Sequence, residues 1–288
     1  MQIPTVSSDP GSRSPLDPEI KLCSLPPFSA AAAKLLQLSE AEDVDLRTIL
    51  PVLASDPSLA ADVLRLANSP LFATTHAVRS IEHAVVFLGL ERVKGLAVAI
   101  AMRRYSTGAC DGAYRQCWEH SLACAVVAEE LAEFYAVRKE DAYTAGLLHD
   151  IGRAGLLKAY PKEYIPVLKT EYQRLDESLA LEQCLLRMDH CMSGSFLGKV
   201  WAFPQSLQTV AERHHSARDL NESILTTVIR VACALADAIG FPEVNYQNRP
   251  GIDGALQLLD HAAVDRFRMR VPFVEERTKE KIAYFLTS

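Results

Sequence analysis

The residues with the most chemical capacity in this chain stand where polar groups are costly. In GLLHDIGRAGLL, residues Gly146–Leu157, a histidine and an aspartate are adjacent between leucines. Burying a carboxylate or an imidazole among aliphatic side chains is unfavourable unless something pairs with it. Two more polar residues share that position. The apolar stripe of YRQCWEHSLACAVVAEELAEFY runs through Cys117, Cys124, Val127, Ala128 and Leu131, and His120 falls on it, so it points inward. Asp237 does the same in VIRVACALADAI, where the other charge, Arg230, lies about two turns or ~10 Å away along the axis. His190 opens HCMSGSFLGKVW, and His214–His215 close SLQTVAERHH.

Each of these residues has an ordinary reading. A buried histidine is usually a satisfied core residue, and an aspartate near a helix end is usually a cap. Their joint placement argues for more. His120, His149, Asp150, His190, His214, His215 and Asp237 come from successive helical segments, and antiparallel packing in a bundle brings such residues to one point. One divalent cation, or two, would satisfy all of them. Imidazole with carboxylate suits iron, manganese, zinc or nickel rather than calcium alone.

The elements that must position these residues read as helices. Residues 1–21 carry Pro, Ser and Asp with little periodicity and are expected to form a flexible leader. Ser29 is a candidate N-cap for FSAAAAKLLQL, as is Ser55 or Asp56 ahead of Pro57. SIEHAVVFLGL starts at Ser80 and stops at Gly89, and VKGLAVAIAM is apolar nearly all round and therefore central. These signals predict about five helices over residues 22–107. STGACDG, Ser106–Gly112, is a connector. Helices are predicted near 113–135, 140–151, 161–175, 178–188, 191–202, 206–215 and 221–239, with a terminal helix in EERTKEKIAYFL. Sustained strand alternation is absent, so the fold class is all-α.

Bulk properties narrow the function classes. A chain of 288 residues that is 49% hydrophobic can bury a large core. A net charge of −6 does not favour nucleic acid as a partner. The seven cysteines include no C-x-x-C pair and fit a reduced, cytoplasmic protein; Cys117 and Cys124 read as small core residues. No apolar run approaches the ~20 residues of a membrane span, so no membrane association is expected.

With these residues in view, the chain resembles a known family. His120, the pair His149–Asp150, and Asp237 are similar to the H…HD…D signature of the HD superfamily of metal-dependent phosphohydrolases. WEHSLACA, AGLLHDIGRAGLL, MDHCMSGSFLGKVWAFP and VAERHH together resemble its HDOD branch, as do LPPFSAAAAKLLQL, SDPSLAADVLRLANSPLF and SIEHAVVFLGLERVKGLA in the first half. The resemblance spans roughly residues 22–218. It implies a two-lobed helical bundle: an N-terminal lobe over 22–107, an HD-like metal-binding lobe over 108–218, and a helical extension over 219–288 that contributes Asp237. It implies that His120, His149, Asp150 and Asp237 hold a divalent transition metal, with Asp150 able to bridge a second ion held by His190, His214 and His215. Iron or manganese is favoured, with zinc or nickel as alternatives. By analogy with a lysine of the related HD-GYP phosphodiesterases, Arg153 takes a catalytic place beside Asp150 and would clamp a phosphate. No Gly-Tyr-Pro follows His190, so the cyclic di-GMP phosphodiesterase reading lacks its motif.

Three functions follow from the resemblance. The first is a bacterial signalling or regulatory module that binds a nucleotide ligand or a signalling protein. The second is an active metal-dependent phosphohydrolase or phosphodiesterase. The third is a purely structural metal site. The first is the expectation, because the N-terminal lobe carries no catalytic constellation.

Overall fold

Side-chain caps start most helices of the first half. This computed structural model describes residues 17–38, 45–72, 77–106, 111–217, 219, 222–259 and 261–287. Helix α1 (Pro18–Cys23) begins at Asp17, whose carboxylate accepts from the Glu19 amide, and Ser29 accepts from Ala32 at the start of α2 (Ala30–Leu38). Asp45 caps α3 (Leu46–Ala54), Asp56 caps α4 (Pro57–Ala67), and Ser80 caps α5 (Ile81–Leu88). Gly89, at φ +87°, turns the chain into α6 (Leu90–Tyr105). The five helices expected over 22–107 are therefore α2 to α6. Of the leader expected over 1–21, residues 1–16 lie outside the described residues and 18–21 are helical. Most of the predicted connector, residues 107–110, is also outside the described residues.

The second half is built from α7 (Asp111–Tyr135), α8 (Lys139–Leu148), α9 (Ile151–Ala159), α10 (Pro161–Lys169), α11 (Leu175–Leu186), α12 (His190–Val200), α13 (Gln205–Arg213), α14 (Ile224–Ala238), α15 (Ile252–Leu256), α16 (His261–Arg268) and α17 (Val271–Thr287). Two predicted helices end early. The helix expected over 140–151 stops at Leu148, and His149 and Asp150 form the turn into α9. The helix expected to reach 175 ends at Lys169, where Thr170 is extended. The next two residues form β1 (Glu171–Tyr172), which pairs in parallel with β2 (Asn245–Tyr246). This small ladder ties the segment after α14 to the connector before α11.

Two glycines let the backbone around the His149–Asp150 turn pack closely. A Cβ on Gly146 would stand 2.7 Å from Ala125 Cα of α7, and one on Gly152 would stand 1.9 Å from the His190 carbonyl of α12. Only hydrogen at Cα allows α8 and α9 to lie this near to α7 and α12.

The halves share a core. One apolar cluster joins Leu35, Ile49, Leu59, Val93 and Met102 of α2–α6 to Trp118 and Leu122 of α7, Leu147 and Leu148 of α8, Ile151 and Ala154 of α9, and Phe285 of α17. Each fully buried leucine contributes roughly 1.5–3 kcal/mol relative to exposure. α6 is buried nearly all round and packs on α2, α4, α5 and α8, as its apolar sequence predicts. α1 closes over α9 and α12, where Leu22 meets Leu197.

Candidate metal centre

The inward helix positions deliver six of the seven predicted ligands into one interior volume. His120 comes from α7, His149 and Asp150 from the turn between α8 and α9, His190 from the first position of α12, and His214–His215 from the end of α13. Asp237, from α14, lies beside them. All but His215 are buried to 2% exposure or less.

Four histidines are oriented by the same device. His120 Nδ1 is 2.8 Å from the Phe241 carbonyl, His149 Nδ1 is 2.7 Å from the Gly146 carbonyl, and His214 Nδ1 is 2.9 Å from the Ala211 carbonyl. A carbonyl only accepts, so Nδ1 carries the proton in each. His190 Nδ1 meets Glu182 Oε2 at 2.7 Å. Each ring thereby turns Nε2 inward, the arrangement that metal-binding histidines adopt when a second hydrogen bond fixes tautomer and direction.

The carboxylates follow a parallel rule. Arg153 donates to Asp150 Oδ2 at 3.1 Å and to Glu243 Oε2 at 2.8 Å, and Tyr246 Oη donates to Asp237 Oδ2 at 2.7 Å. One oxygen of each carboxylate is thus fixed to the scaffold. The other, Asp150 Oδ1, Glu243 Oε1 or Asp237 Oδ1, forms no hydrogen bond among the described residues, and neither do Nε2 of His149, His214 and His215. His214 Nε2 lies 3.4 Å from Asp150 Oδ1, and His215 Nε2 lies 3.2 Å from Glu243 Oε1, close but without hydrogen-bond geometry. Five of these orphaned buried atoms, all but Asp237 Oδ1, belong to the adjoining donor groups, and they would be a serious cost unless a cation is their common partner. The residues therefore fit a metal.

Donor atoms that could share an ion fall into adjoining groups. Asp150, His190, His214 and His215 form one, and His120, His149 and Cys233 another. Glu243 joins His120 and Asp150, and also His215 and Cys233. Asp237 enters none of these groups. Its free oxygen lies 3.4 Å from His120 Nδ1, on the outer side of that ring. The structure thus places Asp237 behind His120 rather than among the inward nitrogens.

Arg153 is also placed differently from a phosphate clamp. It is fully buried, and besides Asp150 and Glu243 it reaches Glu182 Oε1 at 3.0 Å and Tyr164 Oη at 3.1 Å. Its donors face inward onto three carboxylates, the Tyr164 hydroxyl and His190 Nε2 at 3.3 Å, so in this arrangement it organises ligands and presents no fork to a phosphate. The reason is local. α9 begins at Ile151, so Arg153 sits in its first turn with Asp150 directly behind it.

The charges do not balance internally. Asp150, Glu182 and Glu243 share the single guanidinium of Arg153, and Asp237 lies behind His120. Burial alone would raise Asp150 and Glu243, but Arg153 holds both well below the usual carboxylate range, with His149 and His190 adding to the effect at Asp150 and His215 at Glu243. Burial raises Asp237 to about 6, with Glu243 adding to the rise against the pull of His120. Burial lowers His149 to about 3, which leaves it a neutral ligand. Burial also works against protonation of His214, yet Cys191 and Asp150 carry it up to about 10. In a metal-free protein a proton on His214 thus compensates part of the excess negative charge.

Sequence reasoning missed Glu182, Cys233 and Glu243. Glu182 had a legible signal, since it lies on the inward stripe of α11 between Ser178 and Leu186. Glu243 follows α14 in FPEV, where no periodicity marks it as buried.

The comparisons with known proteins agree with this architecture. The sequence profile of the HDOD domain family matches residues 25–217. An uncharacterised protein of Treponema pallidum (strain Nichols) is 26% identical over 207 residues, which is 70% of this chain and 40% of that protein. The chain thus spans less than half the length of this relative. A provisionally named phosphohydrolase of Shewanella amazonensis SB2B superposes with a TM-score of 0.66 at 23% identity, covering 91% of this chain and 97% of that one. A provisionally named signal transduction protein of Marinobacter aquaeolei VT8 gives a TM-score of 0.72 at 22% identity, covering 95% of this chain and 62% of that one. At these identities the likeness shows the fold.

Proposed function

The chain belongs to the HDOD domain family, and from that premise we propose that it is a cytoplasmic signalling or regulatory module with one or two divalent transition-metal ions in its buried His–Asp cluster. The observation that carries this reading is a cluster that has the donors for a cation but is closed on itself. The side chains of His149, Asp150, Arg153, His190 and His214 are fully enclosed. Hydrolysis needs an open coordination position and room for a phosphoester. Two cavities of about 510 and 540 Å³ lie elsewhere, on either side of the seam between α6 and α8, and share Glu91, Gly95 and Glu140. Glu140 lies in the first turn of α8, and the His149–Asp150 turn ends that helix. A ligand or partner in that seam would therefore bear on the same helix that carries the metal ligands. The partner class is a nucleotide ligand or a signalling protein, not nucleic acid.

One observation favours the phosphohydrolase reading: Asp150 adjoins two donor groups and would bridge two ions, an arrangement suited to activating a water between them. Metal analysis of the protein purified with iron and manganese supplied, followed by assays on a panel of nucleotides and phosphodiesters, separates the two. The regulatory reading expects bound metal, its loss in Asp150→Ala, and little turnover. Steady hydrolysis that disappears in a folded Asp150→Ala protein would establish the enzyme instead.

A further inference from the structure

Cys233 sits on α14 one turn before Asp237 and is therefore on the same inward face of that helix. It is 3% exposed. A buried cysteine is ordinarily a small apolar residue. Cys124, nearby on α7, fits that description, with its sulfur 4.0 Å from the Ile229 carbonyl in an otherwise aliphatic surround. Cys233 belongs to the same apolar cluster but also faces polar donor atoms. Its sulfur lies 3.5 Å from His120 Nε2, the inward nitrogen of a ring whose Nδ1 is already committed to Phe241. It shares a common volume with the donor atoms of His120 and His149 on one side, and with those of His215 and Glu243 on the other. The inward nitrogens of His149 and His215 and Oε1 of Glu243 are among the orphaned buried atoms.

The spacing has a chemical meaning. Sulfur and imidazole nitrogen bound to one tetrahedral zinc, at roughly 2.3 and 2.0–2.1 Å from the ion, stand about 3.5 Å apart. The sulfur and His120 nitrogen are at that separation. We propose that Cys233 is a metal ligand, giving the site a mixed nitrogen, oxygen and sulfur donor set that selects a borderline cation such as zinc or ferrous iron over manganese. The inference rests on the metal-binding reading above and specifies its chemistry. Manganese prefers carboxylate and water, whereas a thiolate adds affinity for softer ions. Binding converts the thiol to a thiolate, and its proton leaves to solvent as the metal–sulfur bond forms.

Cobalt(II) tests this directly, because a cobalt–thiolate bond produces a near-ultraviolet charge-transfer band that nitrogen and oxygen ligands do not. The 288-residue chain is stripped with chelator and titrated with cobalt(II) alone. The expected result is a saturable charge-transfer band that zinc(II) abolishes, that is lost in Cys233→Ser and Cys233→Ala, and that persists in Cys191→Ser. Manganese(II) should compete poorly in the native protein and better in Cys233→Ser. Cobalt binding detected by equilibrium dialysis without the band in the native protein overturns the inference while leaving the metal-binding reading intact, and requires no variant to fold. A band that survives loss of Cys233 but not of Cys191 also overturns it. Absence of any cobalt, zinc or iron binding defeats the metal-binding reading itself.

Discussion

At the scale of single residues, the centre is organised by fixing one atom of each ligand. The other is left without a protein partner in His149, His214, Asp150, Asp237 and Glu243, whereas Nε2 of His190 meets Arg153 and Nε2 of His120 meets Cys233. Nδ1 of each of His120, His149, His190 and His214 is hydrogen-bonded, and one oxygen each of Asp150, Asp237 and Glu243 is too. Arg153 does the most, since it fixes two of those carboxylates and also meets Glu182, which in turn holds His190. The price is a surplus of negative charge that protons or a cation must offset. His214 decides how the two compete. Its pKa in the metal-free protein is raised to about 10, against burial, by Cys191 and Asp150. A group raised in this way stabilises the folded apoprotein fully below its unfolded value of about 6.5, and the stabilisation is lost as pH rises towards its folded value. Metal requires the deprotonated ring, so proton and metal exclude one another at Nε2. The rise in melting temperature on adding zinc should therefore grow from pH 6.5 to pH 8.5. A constant or shrinking difference in paired thermal melts would show that His214 does not give up a proton to the metal.

At the scale of elements, the turn between α8 and α9 sets the site, and the contact of α9 with α12 holds it. Gly152 is the tightest point, because a Cβ there would overlap the His190 carbonyl at 1.9 Å and the Gly194 amide nitrogen at 2.6 Å. Neither is the end of a flexible side chain, so Gly152→Ala must push α12 away and take His190 with it. Overpacking of this kind costs about 1–3 kcal/mol. Urea unfolding should show that loss, and equilibrium dialysis should show weakened zinc binding in the folded variant; unchanged zinc affinity would mean that the spacing of α9 and α12 does not matter to the centre. The sequence shows why some of this was legible. Helical periodicity marked His120 and Asp237 as inward, Ser80 marked where α5 begins, and of the two candidate caps for α4, Ser55 and Asp56, the structure uses Asp56. The periodicity placed the break at 151, a few residues late, and did not mark α9, which runs from Ile151 to Ala159. Nor did it mark Glu243, which is buried by the β1–β2 ladder and by Arg153, both tertiary effects.

At the scale of the whole molecule, the regulatory reading needs the metal centre and the N-terminal helices to sense one another, and the packing provides a route. Leu147 and Leu148, immediately before His149, and Ile151 and Ala154, one and four residues after Asp150, belong to the apolar cluster that includes α2–α6. The turn that carries two ligands is thus flanked on both sides by side chains seated against the first half of the chain. α17 closes the same cluster through Phe285, whose ring meets Trp118 of α7 edge-on at 5.4 Å. The core of the first half is the shared cluster, so α2–α6 should not unfold separately from the α8–α9 turn, although the second half has two further apolar clusters of its own. A ligand that binds only the folded state stabilises everything that unfolds with its site. Zinc should therefore raise the denaturant midpoint of the whole protein in one transition. Native-state hydrogen exchange should show added protection in α6, remote from the metal donors, as well as in α8 and α9. Two transitions in urea, with only the second moved by zinc, would show that the first half folds independently and that metal occupancy is not transmitted to the seam between α6 and α8.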